Sequence, residues 1–298
     1  MTTITDLDVT RLAGALGAEV RGLPLAEATA ADAAVLSDLL VEHMVLFFPD
    51  QEMTLDQHVT FGRHFGPLAG HPNLANPFTE HPEVFELAAS RGGVADEWHT
   101  DLTFLAEPAV MSILRMLTCP PVGGDTMWTN LCQAYEELSA PLRDLCDGLT
   151  ALHNAEPHGQ PEAMAVHPVV RVHPVSGRRA LYVNEHFTRR IVELNRRESD
   201  LLLGHLCAWV HEPRFTVRYH WTPGTVAIWD NRSTQHHVLN DFEGERIIQR
   251  VTVMGDTPAG PTPPRWPPYV RAKGGASSSH HDRLLRDWHR QGGGPEPT

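Results

Sequence analysis

A chain of 298 residues is long for one domain but within reach of a single large β-rich enzyme core with a sizeable apolar interior. Its 24 Lys and Arg against 37 Asp and Glu give a formal net charge of −13, which argues against a general nucleic-acid binder and leaves room for a small anionic substrate in a locally positive pocket. No apolar run reaches the roughly 18–20 residues that span a bilayer, and MTTITDLDVT has no basic region followed by an apolar stretch. Cys119, Cys132, Cys146 and Cys207 show neither CxxC spacing nor a dense framework, so a cytoplasmic protein with reduced thiols is expected.

Along the chain, Leu12 to Val20 reads as a short strand with turns. Ala30 to His43 has apolar residues at helical spacing, and Met44 to Phe48 is an apolar run closed by Pro49 and Asp50, hence a buried strand and a turn. Thr54 is placed to cap a helix running towards Phe65, with Gly66 and Pro67 as its stop. Val84 to Ala88 is strand-like, and the small, Gly-rich Ala89 to Asp96 predicts a mobile loop. Val110 to Leu117 predicts a strand, Pro120 to Gly124 a turn before Thr126 to Trp128, and Ala134 to Leu149 a helix interrupted near Pro141. The second half predicts strands at Val169–Val172, Ala180–Val183, Phe215–Trp221, Val226–Trp229 and Ile247–Met254, with one helix over Glu198–Val210. Many short strands between Gly and Pro turns, with flanking helices, indicate a mainly β fold: a double-sheet barrel or jelly roll. Residues 1–257 form the expected domain. A Gly/Pro-rich tail, 258–298, follows, with a short helix expected over Asp282–Arg290.

The first chemical signal is Glu97-Trp98-His99-Thr100-Asp101. A His and an Asp two positions apart on extended chain point the same way, and with a second imidazole they make the facial triad of non-haem Fe(II). That triad leaves three coordination positions, two for 2-oxoglutarate and one for dioxygen. Alone, HxD arises by chance in a chain with 19 histidines. Two later signals give it weight. Trp229-Asp230-Asn231-Arg232-Ser233-Thr234-Gln235-His236-His237 follows a strand and supplies a distal histidine. Arg246-Ile247-Ile248-Gln249-Arg250 puts two arginines on one strand face, suited to clamping carboxylates or other anions. His236 and His237 face opposite ways in a strand, so only one can be the ligand, and spacing leaves the choice open.

With these residues in view, the chain resembles the taurine dioxygenase / 2,4-dichlorophenoxyacetate dioxygenase family of Fe(II)/2-oxoglutarate enzymes. The resemblance runs from about Leu12 to Asp256 through VLFFPDQ, FGPLAGHP, WHTDLTF, GGDTMWTN, HPVVRVHPVSG, LYVNEHFTRRI, VAIWDNRSTQH and RIIQRVTVMGD, in order. It implies a double-stranded β-helix, with His99, Asp101 and His236 as iron ligands and catalytic residues. It also implies Thr126 and Arg246 on the distal carboxylate of 2-oxoglutarate, and Arg250 and His71 on the substrate. Phe104 and Phe187 lie in motifs bordering the family's substrate pocket, or serve as ordinary core aromatics. The implied activity hydroxylates, and thereby can cleave, a small anionic substrate such as an alkyl sulfonate or sulfate, releasing succinate and CO2. The alternative is a hydroxylase or desaturase of a specialised metabolite carrying a carboxylate or phosphate. Such proteins are often homodimers or homotetramers. The full triad with both arginines speaks against a non-enzymatic jelly-roll binder, and a zinc hydrolase would lack a hydrolytic base and leave the arginine pair unexplained. The chain departs from taurine-specific members at Leu74 and Ala95, where polar partners for an amine are missing, and the segment after Ala151 looks shorter than the family's lid region. That segment, from Asn154 on, and the loop 89–96 are the candidate lids.

Overall fold

A computed structural model describes residues 7–72, 78–269 and 280–290, the side chain of residue 289 excepted. The region read as a short strand with turns at Leu12–Val20 is the turn and second strand of a hairpin: β1 (Asp8–Arg11) pairs with β2 (Ala18–Arg21). Helix α1 (Ala30–His43) matches its predicted span because both ends are specified. Thr29 and Asp32 form a capping box, and Met44 ends the helix in the left-handed region at φ 63°. The apolar run therefore becomes strand only from the next residue, β3 (Val45–Phe48). Helix α2 (Leu55–Arg63) starts at Thr54 through a second capping box with Gln57, and stops before Phe65.

Strands β4 (Leu68–Ala69), β5 (Val84–Ala88), β6 (Ala109–Thr118) and β7 (Thr126–Asn130) follow. The interrupted helix expected over 134–149 is two helices. Asn130 caps α3 (Leu131–Glu136), and α4 (Ala140–Cys146) carries Pro141 in its first turn, where a missing N–H costs nothing. The segment read as a shortened lid region after Ala151 is a hairpin of β8 (Thr150–Ala155) and β9 (Gln160–Pro168), turning through a 3-10 turn over Glu156–His158. Its polar composition concealed the strand pattern. Then come β10 (Val170–Val172), β11 (Arg179–Leu181), β12 (Thr188–Ile191), α5 (Arg196–Val210), β13 (Thr216–Tyr219), β14 (Val226–Asp230), β15 (Thr234–Val238), β16 (Ile247–Met254) and α6 (His280–Arg290).

The large sheet runs β1-β2-β3-β14-β6-β16-β4, with β5 also on β16, and faces a smaller sheet β13-β7-β15. These two layers are the expected jelly roll. Alternation sorts the side chains. Phe47, Leu114, Met116, Ala227, Trp229 and Ile248 point between the sheets, against Trp128, Val217 and Tyr219. Leu46, Phe48, Ile113, Ile228 and Val251 point the other way, under Leu36 and Leu40 of α1 and Val59 and Phe61 of α2. A sheet covered on both faces needs near-continuous apolar strands, which is why VLFF and VAIW read as runs rather than alternations.

Phe47 is fully buried, stacks on Tyr219 with ring centroids 3.9 Å apart and meets the Trp128 edge at 5.2 Å. Phe47→Ala is expected to cost about 3–5 kcal/mol of unfolding free energy in denaturant titrations; a loss well under 1 kcal/mol would contradict this packing. His58 donates from Nε2 to the Ile113 carbonyl at 3.0 Å and ties α2 to β6. Burial pushes both His58 and His167 from their ordinary value of 6.5 down to about 4. The unfolded chain takes up these protons first, so the stability conferred by the neutral rings is complete above pH 6.5 and is lost as pH falls through about 4. The thermal midpoint is expected to decline across that window. A flat profile there would show that the rings are not buried neutral.

Past the large sheet the chain returns over the core. Val172 N–H donates to Ala259 O (2.8 Å), Arg265 N–H to Gly148 O (3.0 Å) and Tyr269 N–H to Val192 O (2.9 Å). In α6, Leu285 packs on Leu152 and Val192. Among the described residues no helix is long and apolar enough to cross a membrane.

Candidate active site

His99 lies on an extended segment ahead of β6, Asp101 opens the turn that follows it, and His236 lies in the middle of β15. His99 N–H donates to His236 O (3.1 Å) and His236 N–H to His99 O (2.8 Å), so the two histidines are backbone partners. In β15, His236 pairs with Trp128 and His237 with Met127. Register therefore separates the two rings. That of His236 is buried between the sheets, 4.8 Å from the Trp229 ring, while that of His237 lies on the other face, stacked on Trp98 at 5.3 Å. Leu102, directly after Asp101, has φ 57°, a conformation that bulky residues rarely adopt, and it lies in the turn over residues 101–104.

One ligand atom from each of His99, Asp101 and His236 lies within 4.8 Å of the others, and all three residues are buried. The Nδ1–H of His99 donates to the Glu97 carbonyl at 2.7 Å, which leaves Nε2 unprotonated, 3.8 Å from Asp101 Oδ1. Burial pushes His99 down to about 4 against the opposing pull of Asp101, and it pushes His236 down as well. Burial alone would raise Asp101, but Arg250 and then the two histidines hold it well below the usual carboxylate range. Two neutral imidazoles and a carboxylate, with Nδ1 of His236 buried and unpartnered, suit a divalent transition metal.

The arginines share the inward face of the β16 segment with Ile248. Arg250 donates from Nη1 to Asp101 Oδ1 at 2.8 Å, and its guanidinium lies 5.1 Å from the Phe85 ring centre. Arg246 reaches the start of β7, donating from Nε to Gly124 O (3.1 Å) and from Nη2 to Thr126 Oγ1 (3.3 Å). Thr126 Oγ1 also accepts from Trp221 Nε1 at 2.9 Å, so its own hydrogen is free to meet a carboxylate. Burial lowers Arg246 to about 10, and among the described residues no carboxylate lies within ion-pair distance of it. A desolvated cation with no carboxylate in contact, offset only at longer range by Asp125, is a site for an anion.

The other residues expected at the site sit around this centre. The His71 ring stacks on Phe85 at 5.3 Å, and burial, then Arg250, push its pKa down to about 3, so it is a neutral group. Phe104 and Phe187 are buried together, 5.2 Å apart, and Phe187 lies 6.4 Å from His99. Leu74 lies outside the described residues. Ala95 is tied to β15 by the bond from Val238 N–H to its carbonyl (3.0 Å). Two residues were missed. The rings of His158 and His186 bridge from His71 to His99, in steps of 5.1, 5.6 and 5.6 Å. His186 stood in the motif LYVNEHFTRRI and could have been singled out. His158 sits at the tip of the β8–β9 turn, and only the fold brings it here.

The family model for taurine catabolism dioxygenase TauD, TfdA family matches residues 8–252. Among curated relatives, the alpha-ketoglutarate-dependent sulfate ester dioxygenase of Pseudomonas putida is 38% identical over 279 residues, covering 86% of this chain and 92% of that protein. The alkylsulfatase of Acinetobacter baylyi is 36% identical over 278 residues, covering 85% and 87%. Among solved structures, a taurine dioxygenase from Burkholderia xenovorans superposes with a TM-score of 0.79 at 41% identity, over 86% of this chain and 91% of that one. The structure of AAD-2 with Mn(II) and N-oxalylglycine superposes at 0.74, with 25% identity, over 85% and 98%.

Proposed function

The chain belongs to the taurine catabolism dioxygenase TauD, TfdA family, the α-ketoglutarate (2-oxoglutarate)-dependent dioxygenases, and from that premise we propose that it is an iron enzyme hydroxylating alkyl sulfate esters or alkyl sulfonates. In this reading His99, Asp101 and His236 hold Fe(II), Thr126 and Arg246 hold the distal carboxylate of 2-oxoglutarate, and Arg250 with His71 receives the substrate anion. Bound Fe(II) supplies the chemistry that couples oxidative decarboxylation of 2-oxoglutarate by dioxygen to hydroxylation of a substrate carbon. Hydroxyl placed on the carbon that bears a sulfate leaves an unstable adduct, which collapses to an aldehyde and free sulfate.

One observation carries the substrate assignment. The Arg250 guanidinium lies against Asp101, 2.8 Å from Oδ1. An anion held by Arg250 is therefore held beside the metal triad, and the carbon next to that anion is the one exposed to oxidation. His71, being neutral, adds a hydrogen bond but no charge, so Arg250 carries the electrostatics. Phe85, Phe104 and Phe187 supply apolar walls that exclude water and suit an alkyl chain. The names of the Pseudomonas putida and Acinetobacter baylyi relatives support a sulfate ester. The methyl group of Ala95 offers no partner to an amine, which supports an alkyl sulfate or sulfonate over taurine.

The test is succinate release across alkyl sulfates, alkyl sulfonates, taurine, aryloxyacetates, phosphates and amino acids. Medium-chain alkyl sulfates or sulfonates are expected to stimulate it most and taurine little. Stimulation confined to aryloxyacetates or phosphates would overturn the substrate assignment while leaving the iron chemistry intact. Arg250→Ala is expected to abolish stimulation by the preferred substrate and to leave a slow, substrate-independent conversion of 2-oxoglutarate.

A further inference from the structure

The carboxylate of Asp101 has two oxygens with different surroundings. Oδ1 faces His99 Nε2 at 3.8 Å and Arg250 Nη1 at 2.8 Å. Oδ2 accepts from Ser112 Oγ at 2.8 Å. Ser112 lies on the inward face of β6, fully buried, directly across from Trp229 of β14. Its oxygen accepts from Asn231 Nδ2 at 3.0 Å, and Asn231 Oδ1 accepts from Trp229 Nε1, also at 3.0 Å.

Donor chemistry sets the direction of every bond in this row. An indole N–H can only donate, so the Asn231 amide must turn its oxygen to Trp229. The Asp101 backbone N–H points at the same oxygen, at 3.5 Å, and fixes the amide the same way round. The NH2 of Asn231 is then left for Ser112. A hydroxyl that already accepts from an amide turns its hydrogen to the remaining acceptor, Asp101 Oδ2. The row ends by occupying one carboxylate oxygen and leaving the other, which Arg250 also reaches, towards the imidazoles.

We propose that Ser112 and Asn231 are positioning residues for the metal site, a buried Trp229–Asn231–Ser112 relay that holds the Asp101 carboxylate so that Oδ1 is its ligand atom. The inference rests on the reading of His99, Asp101 and His236 as the metal ligands. Without the relay, Asp101 can rotate, and Oδ2 loses its donor in a dry interior.

The test measures Mn(II) dissociation constants by EPR, without 2-oxoglutarate, on the full chain. Ser112→Ala is expected to weaken Mn(II) binding by about 10–100-fold and to alter the visible band formed anaerobically with Fe(II) and 2-oxoglutarate. Ser112→Cys, close in size and a weaker donor, is expected to fall between wild type and alanine, and it serves as the main variant if the alanine protein is unstable. Asn231→Ala is expected to weaken binding as well. The double variant is expected to be little worse than Ser112→Ala, because both act through the same oxygen. Dissociation constants within twofold of wild type in folded Ser112→Ala and Ser112→Cys proteins would overturn the relay, as would strictly additive losses in the double variant. Failure of wild-type protein to bind Mn(II) would instead overturn the metal assignment beneath it.

Discussion

Replacing His236 with alanine is expected to abolish the visible charge-transfer band that Fe(II) and 2-oxoglutarate produce together under anaerobic conditions, and to reduce succinate release to background. His99→Ala is expected to do the same. Each variant removes one of two neutral nitrogens in a three-donor set, and no other His, Cys, Asp or Glu among the described residues completes such a cluster. The informative control is His237→Ala. Its ring lies on the opposite face of β15, stacked on Trp98 at 5.3 Å, so its loss is expected to cost only about 0.5–1.5 kcal/mol of stability and to leave the band in place. A band lost in His237→Ala and kept in His236→Ala would mean that the register of β15 against β7 is wrong by one residue. The apo forms of the His99 and His236 variants are expected to stay folded, since the antiparallel ladder and the core around Trp128 and Trp229 do not depend on the metal. What they lose is the thermal shift that wild type gains from added Mn(II).

Replacing Arg246 with alanine is expected to weaken 2-oxoglutarate binding far more than metal binding. The guanidinium and the Thr126 hydroxyl offer a fork of donors that, among the described residues, carries no carboxylate. A charge-assisted hydrogen bond in a dry site contributes about 1.5–3 kcal/mol, so losing it should raise the 2-oxoglutarate dissociation constant by roughly 10–150-fold. The apo protein is expected to respond in the opposite direction or not at all. Burial already lowers Arg246 to about 10 against a weaker opposing pull from Cys119 and Asp125, and removing a cation whose desolvation is only partly offset relieves a cost. Isothermal titration of 2-oxoglutarate into the Mn(II)-loaded protein, with thermal unfolding of the apo forms, measures both halves. A variant that binds 2-oxoglutarate normally but has lost Mn(II) would mean that the two arginines had been assigned in the wrong order.

Much of this protein was legible before folding. The capping residues Thr29 and Thr54 specified helix starts because their partners lie three residues away, and VLFF and VAIW specified buried strands because a doubly covered sheet demands unbroken apolar runs. The pairing of Arg246 with Arg250 followed from strand alternation alone. The hairpin at 150–168 was not legible, because its strands carry His, Asn, Glu and Gln, which tertiary contacts and not intrinsic preference hold extended.

The residue types proposed for the chemistry, and their order along the chain, were set by the sequence: HxD, then a distal histidine, then two arginines. The choice of histidine was not, because His236 and His237 differ only in the face they present, and that is set by pairing with Trp128 and Met127 more than a hundred residues earlier. The same holds for Ser112, an unremarked serine in an apolar strand until β14 brings Asn231 and Trp229 beside it and the segment before β6 brings Asp101. It holds too for His158 and His186, which meet at the site from separate turns. Local interactions reach three or four residues along the chain. The proposed metal site and the hydrogen bonds around it are made of contacts spanning tens to hundreds of residues, and only the packing of the two sheets sets those.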